Sequence, residues 1–452
     1  MLFHSTNHKS PEVDFTTAIL QGQALDNGLY MLHAIPKLKS SFLSSLDNYS
    51  FQEIAFEILD HIIDSAIPSK NLKEIIIRAL NFEIPIEKFS HNNYICFLDR
   101  GPTSSFKDFG ARILANILEY VLEREKKNII ILTATSGDTG GAVAQAFYMM
   151  NNINVIVLYP KNEVTNLQKK QMTTLGANVT AIGIDGKFDD CQRLVKLAFA
   201  DKDLENLNLS SANSINFGRL LPQSIYYFYS YSRIVDSLGE KVIFSVPSGN
   251  FGNLTGGLLA QRMGLSIKQF IAAVNENDEF PKFLATGKYQ KVDPSKECIS
   301  NAMNVGHPSN IARIFDLYEG HIDENGNIIK IPDLNAMRYD IISYSISDSE
   351  TRQTIINFYN KFNRIIEPHG AVGWAALQKY RHQFPKSRAV KAITFETADP
   401  AKFPEEIRAL INIEPSIPHS LQEILNNEEH LNHEPINAYR DFKEFLQKKY
   451  IE

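Results

Sequence analysis

From about residue 94 onward, short runs rich in isoleucine and valine alternate with amphipathic helical stretches, and this alternation restricts the chain more than any other feature. The runs at 94–98, 129–133, 155–158, 179–184, 242–246, 270–274 and 390–394 mostly lack polar alternation. That is the pattern of strands covered on both faces. Residues 108–124, 139–149, 192–200, 217–237, 253–263, 350–363 and 371–381 read as the helices between them. Strand, helix and strand in series predict an α/β architecture with open, mostly parallel sheets. Ligands of such sheets sit at the C-terminal ends of the strands, where loops enter helices.

The first ninety or so residues read differently. Phe51, Ile54, Ala55, Ile58, Leu59, Ile62 and Ile63 recur at helical spacing and make one apolar stripe, with Ser50 and Glu53 in capping-box positions ahead of it. Pro68 ends that segment and 72–80 reads as a second helix. The whole chain has 452 residues and a formal charge of −6. The length implies two or three domains, and the mild acidity argues against a nucleic-acid binder. Cys96, Cys191 and Cys298 lie far apart, so neither a disulfide framework nor a cysteine zinc site is supported, and no metal is expected. No basic, then apolar N-terminal leader and no membrane-length apolar run is visible. A cytoplasmic protein without membrane partners is expected.

Three strand-to-helix junctions carry candidate chemistry. In the first, Lys107 falls near the start of an apolar-periodic helix, where the macrodipole disfavours a cation and lowers the amine's pKa. An amine tuned in this way suits nucleophilic or Schiff-base chemistry; its plain alternative is a solvated surface lysine. In the second, Thr133–Ala142, hydroxyls and glycines at a helix start form an anion cradle, or simply a cap by Ser136, Asp138 or Thr139. The third, Ser245–Gly257, is a glycine-rich turn into a helix that matches neither GxxxxGK[ST] nor GxGxxG. Asn213, Ser214 and Arg219 gather amide, hydroxyl and guanidinium near another helix start, and Thr397 follows the last strand. Together these supply one activated lysine, two phosphate-sized anion sites and a terminal hydroxyl. That set describes a site for a phosphorylated aldehyde cofactor and an anionic substrate.

The chain resembles the threonine synthases, pyridoxal-phosphate (PLP) enzymes of fold type II, in the branch with a long N-terminal extension. The resemblance runs almost end to end. It is carried by Ser5-Thr6, Ala18–Gly22, Asp26–Tyr30, Phe106–Gly110, Thr135–Gly140, Ser248–Asn253, Asn275–Asp278, Pro308–Asn310 and Glu396–Phe403. Asp399 stands where the family usually has histidine, and Asp138 where many fold-type-II enzymes have asparagine. The resemblance implies two sheet domains with PLP between them: a larger one from 94–131 and 214–452, a smaller insert at 132–213, and a helical region at 1–93.

The same resemblance implies that Lys107 bonds the cofactor's aldehyde and acts as the catalytic base. Ser248, Gly249, Asn250, Phe251, Gly252 and Asn253 would hold the cofactor phosphate. Asp138 would face the phenolic oxygen, and Thr397 the pyridine nitrogen. Thr135, Ser136 and Thr139 would hold the substrate carboxylate, and Asn213, Ser214 and Arg219 its phosphate. The implied reaction converts O-phospho-L-homoserine and water to L-threonine and phosphate. A monomer is expected, with a dimer as the alternative. A hydroxyamino-acid dehydratase of the same fold, or a catalytically silent PLP-binding protein, would share the lysine and the glycine-rich loop.

Overall fold

A computed structural model describes residues 1–135, 137–431, 436 and 438–450. Two open sheets organise it. The larger has six strands in the order Ile341–Ser345, Ile267–Val274, Val242–Pro247, Ala392–Glu396, Asn93–Phe97, Ile86–Ser90. All its pairings are parallel except the last, which is antiparallel. The smaller is parallel throughout, in the order Val179–Ile184, Ile153–Pro160, Ile129–Ala134, Leu209–Ser210. The strands Val242–Pro247, Ala392–Glu396 and Ile129–Ala134 are buried at every position. This explains why they read as unbroken apolar runs: helices cover both faces.

All seven expected strands form, most with ends moved by one to three residues; the run at 390–394 is paired from Ala392 to Glu396. The helix expected over 217–237 is broken. It consists of Phe217–Leu220, a 3₁₀ turn Leu221–Ser224 and Ile225–Ile234. Pro222 lies in the 3₁₀ turn, where it donates no backbone bond and interrupts the α pattern. The strands Ile86–Ser90 and Ile341–Ser345 at the two sheet edges escaped the sequence reading. Both are only partly buried and lack a continuous apolar run. The boundary expected at 131/132 falls inside the strand Ile129–Ala134, and the C-terminal helix Tyr439–Tyr450 packs Phe442 and Leu446 onto the core of the small sheet.

In the N-terminal region the helix Phe51–Ile63 buries all seven residues of the expected stripe. Its capping box closes as expected: the Glu53 amide donates to Ser50 Oγ at 3.3 Å and the Ser50 amide to Glu53 Oε2 at 2.8 Å. Each buried aliphatic side chain there contributes roughly 1.5–3 kcal/mol. A small antiparallel sheet, Val13–Asp14, Leu2–Ser5 and Tyr30–Leu32, also lies in this region. Its strands are too short for periodicity to reveal.

The loop before the lysine helix Lys107–Glu125 is tied to the end of the strand Ala392–Glu396. Leu98 N–H donates to Glu396 O at 2.9 Å, Phe106 N–H to Thr397 O at 2.9 Å, and Asp399 N–H to Ser104 O at 3.1 Å. Asp108 closes the same loop by accepting from the Thr103 amide at 2.8 Å and the Thr103 hydroxyl at 2.6 Å. Gly101 is required for this approach, since a Cβ there would lie 2.3 Å from Asp108 Oδ2. Gly101→Ala is expected to cost about 1–3 kcal/mol by overpacking. A denaturation midpoint equal to the parent's would show that the loop relaxes freely.

Candidate active site

Lys107 is the first residue of its helix, and its side chain is only 14% exposed. Its Nζ lies 3.5 Å from Asp138 Oδ2. Burial pushes the ammonium pKa down, and the nearby Lys402 and Arg219 cations push it further, against the pull of Asp138. The expected direction is therefore present, and the causes found for it are burial and cationic neighbours. A solvated surface lysine is excluded.

Asp138 opens the helix Asp138–Phe147, and its carboxylate caps nothing. It faces Lys107 on one oxygen, while the other accepts from Lys402 Nζ at 3.0 Å and Gln168 Nε2 at 3.0 Å. Burial alone would raise this carboxyl, but Lys402 and Lys107 outweigh it and hold it well below the usual carboxylate range. Lys402 is completely buried. The role of Lys402 is not legible in the motif 396–403, because its partner Asp138 lies 264 positions away.

Thr135, expected at the substrate carboxylate, has its hydroxyl engaged inside its own loop. Thr135 Oγ1 accepts from Gly137 N–H at 2.9 Å and Gly140 N–H at 2.7 Å. Its contribution is to shape the turn. Gly137 sits at φ 132 with the Gln168 side chain against it, and both features demand glycine. Thr139 is half-buried on the first turn of the helix. Ser136 lies outside the described residues.

The helix Gly252–Met263 follows the strand Val242–Pro247, and its N-terminal amides have no side-chain cap. Phe251 is buried against Phe280 and holds the left-handed φ of 58 that turns the chain into the helix. Ser248 Oγ donates to Val246 O at 2.8 Å, and Asn310 Nδ2 braces Asn250 O at 3.0 Å. Gly249 has no room for a side chain, since a Cβ would lie 2.8 Å from Ala302 O. Asn253 Oδ1 accepts from the Tyr226 and Tyr227 hydroxyls at 2.8 and 2.7 Å, while its Nδ2 is buried without a partner. An orphaned buried amide beside an uncapped helix start fits a phosphate, which brings only acceptors.

Thr397, 5% exposed, donates to Glu367 Oε1 at 3.3 Å and caps no helix. Glu367 is itself the N-cap of the helix Pro368–Gln383 and holds His369 Nδ1 at 2.6 Å. Arg219 is 4% exposed and donates to Ala212 O at 2.5 Å; burial brings its pKa down to about 10. Its flank packs on Gly110, one turn into the lysine helix. Asn213 accepts from the Thr133 hydroxyl at the end of the small sheet. Ser214 O accepts from Arg313 Nη1 at 2.9 Å, and a Cβ built on Gly252 would lie 3.6 Å from Ser214 Cβ. The two expected anion sites are therefore neighbours. Arg313, fully buried, braces the second and was missed because all but one of its partners, Asn310, are backbone carbonyls remote in sequence.

A buried, pKa-lowered lysine at one strand-to-helix junction and an uncapped glycine-rich helix start at another, on two mostly parallel sheets, match the plan of a PLP enzyme of fold type II. Residues 85–394 match the family described as "Pyridoxal-phosphate dependent enzyme". Residues 2–80 and 370–446 match "Threonine synthase N terminus" and "Threonine synthase, C-terminal". Threonine synthase of Buchnera aphidicola subsp. Schizaphis graminum is 39% identical over 454 residues, covering 99% of this chain and 100% of that protein. The PLP-bound threonine synthase from Brucella melitensis superposes with a TM-score of 0.92 at 31% identity, covering 100% of this chain and 99% of that one. The Escherichia coli enzyme gives 0.88 at 33% identity, covering 99% and 100%. The chain belongs to the threonine synthase family.

Proposed function

We propose that this protein is a PLP-dependent carbon–oxygen lyase that converts O-phospho-L-homoserine and water to L-threonine and phosphate, the last step of threonine biosynthesis. The observation that carries the reading is the end-to-end likeness to threonine synthases, supported by the closeness of the two loops read as anion sites. Substrate and cofactor each bring a phosphate, so a threonine synthase needs both loops. A dehydratase would need only the one for the cofactor.

The larger sheet with its helices, the smaller sheet with its helices, and the cleft between them are read as the two cofactor-binding halves. Residues Ser248 to Asn253 would hold the cofactor phosphate, Lys107 its aldehyde carbon, Asp138 its phenolic side and Thr397 its ring nitrogen. PLP, when bound, supplies the electron sink that stabilises charge at the substrate's Cα and Cβ. Lys107 Nζ, whose charged form burial disfavours, would take the Cα proton and return protons within the site. The motif 135–140 would orient the substrate carboxylate, with Ser136 and Thr139 as its candidate hydroxyls and Thr135 shaping the turn. Arg219 with Asn213 and Ser214 grips the γ-phosphate and stabilises it as it departs; Arg is suited to this by its planar fork. The buried walls keep stray water away until phosphate has left.

No helix among the described residues is long and apolar enough to cross a membrane. The three cysteines are free and buried, which supports the cytoplasm as the place of work. A monomer suffices for the site as read, because the residues assigned here come from one chain.

Arg219→Ala is the test. Loss of a charge-assisted hydrogen bond costs roughly 1.5–3 kcal/mol, about ten- to a hundredfold in affinity. Binding of a phosphonate analogue of the substrate should weaken by that factor, while PLP affinity stays near the parent's. Unchanged analogue binding with lost PLP affinity would reverse the two anion sites. Absence of phosphate release from O-phospho-L-homoserine by the parent would end the reading itself.

A further inference from the structure

A cluster on the N-terminal side of the molecule takes no part in the site described above. His4 lies on the strand Leu2–Ser5, His8 on the turn that follows, and Asp316 near the end of the helix Ile311–Leu317. His4 Nε2 is 2.8 Å and His8 Nε2 is 3.8 Å from Asp316 Oδ1, and one donor atom from each of the three lies within 4.8 Å of the others. Donors around a tetrahedral zinc ion are about 3.3 Å apart, given zinc–nitrogen bonds near 2.05 Å. Small side-chain movements therefore suffice to converge the three.

The surroundings support a built site. His4 and Asp316 are largely buried, at 19% and 13% exposure, while His8 is open to solvent at 50%. The two imidazoles are stacked at 5.4 Å between ring centroids. His8 holds a left-handed φ of 56 and its amide donates to Ser5 O at 2.9 Å, so the turn fixes it above His4. A non-glycine residue in that conformation is uncommon and carries a cost. The next turn is pinned by Asp26, which accepts from the Lys9 and Ser10 amides at 2.9 Å each. His33 stands edge-on to His4 and His321 edge-on to His8. A cleft of about 660 Å³ leads to the cluster, lined also by Glu12, Lys37 and Arg262. Of its two lysine and arginine side chains, Arg262 pairs with Asp340 at 3.8 Å.

We propose that His4, His8 and Asp316 form a binding site for a divalent first-row transition-metal ion, with zinc as its natural probe and water completing the coordination. Two imidazoles and one carboxylate suit zinc, cobalt, nickel and copper, and disfavour magnesium and calcium, which take oxygen ligands. The ion would replace the direct His4–Asp316 hydrogen bond and link the N-terminal strand to the helix that carries Arg313. The sequence hides this site because Asp316 lies 312 positions from His4. The proposal does not depend on the reaction assigned to the protein.

The test is a zinc titration of the metal-stripped, PLP-loaded full chain against a chromophoric chelator. His8→Ala, Asp316→Asn and His33→Ala are run in parallel. His33 pairs with Glu12 at 2.6 Å outside the trio and serves as the control. One zinc per chain is expected, weakened about tenfold or more by His8→Ala and by Asp316→Asn, with His33→Ala within about threefold of the parent. Zinc should also raise the thermal unfolding midpoint of the parent and not of His8→Ala. Circular dichroism and PLP content confirm that the variants are folded. No zinc uptake by the parent, or parent-like affinity in either ligand variant, overturns the site. So does magnesium binding as tightly as zinc.

Discussion

Lys107→Ala is expected to yield a folded protein that has lost the visible absorbance of bound PLP and its covalent retention after borohydride treatment. Lys107 is the buried amine whose charged form is disfavoured by burial, Lys402 and Arg219. Loss of the proton-transfer group alone should slow turnover by roughly 10²–10⁴-fold. The loss of cofactor attachment adds to this. Folding should survive, because the nearby Asp138 keeps its stronger contacts to Lys402 and Gln168 at 3.0 Å each. Retained absorbance and borohydride-fixed cofactor in the purified variant would assign the attachment to another lysine.

The second large effect is expected at Lys402. Lys402→Met keeps the length of the side chain and removes the charge that faces Asp138 at 3.0 Å. Breaking a buried ion pair from one side typically costs about 3–5 kcal/mol, since the remaining charge stays desolvated. Two readouts follow. Stability should fall by that order in denaturant titration. The Lys107 amine should also become easier to protonate, because one repelling cation is gone and Asp138 turns its full field on it. PLP recombination with the stripped protein requires a neutral amine, so its pH profile should move to more alkaline pH. A variant with parent-like stability and an unshifted profile would mean that Lys402 neither balances Asp138 nor tunes Lys107.

Acid should act through the same pair. The Asp138 carboxyl lies below its ordinary value of 3.8 in the folded protein. A group depressed in this way contributes stability that is present above the unfolded pKa and lost as the pH falls towards the folded one. The parent should therefore lose stability below about pH 4, and Lys402→Met should lose less across that window. Denaturant titrations between pH 6 and 3 measure the difference.

These effects converge on a few side chains whose positions were unequally legible. The stripe from Phe51 to Ile63, its Ser50–Glu53 box and the apolar strands were open to reading, because local periodicity and burial on both faces leave a pattern within each segment. The glycine-rich start of the helix Gly252–Met263 and the position of Lys107 at the first turn of its helix were readable for the same reason. The edge strands Ile86–Ser90 and Ile341–Ser345 were not, since partial burial leaves no continuous apolar run. The helix expected over 217–237 ran straight through Pro222, where the folded chain takes a 3₁₀ turn instead.

What the sequence determined by itself is therefore the α/β alternation, the junctions able to carry chemistry and, through its motifs, the family. Tertiary structure decided the rest. It turned the Thr135 hydroxyl inward to Gly137 and Gly140, set Lys402 against Asp138, left Asn253 Nδ2 without a partner, and brought His4 and His8 to Asp316. The physical reason is range. Helix and strand patterns come from interactions between near neighbours in the chain, whereas the charge state of a buried group depends on whatever the folded chain packs beside it.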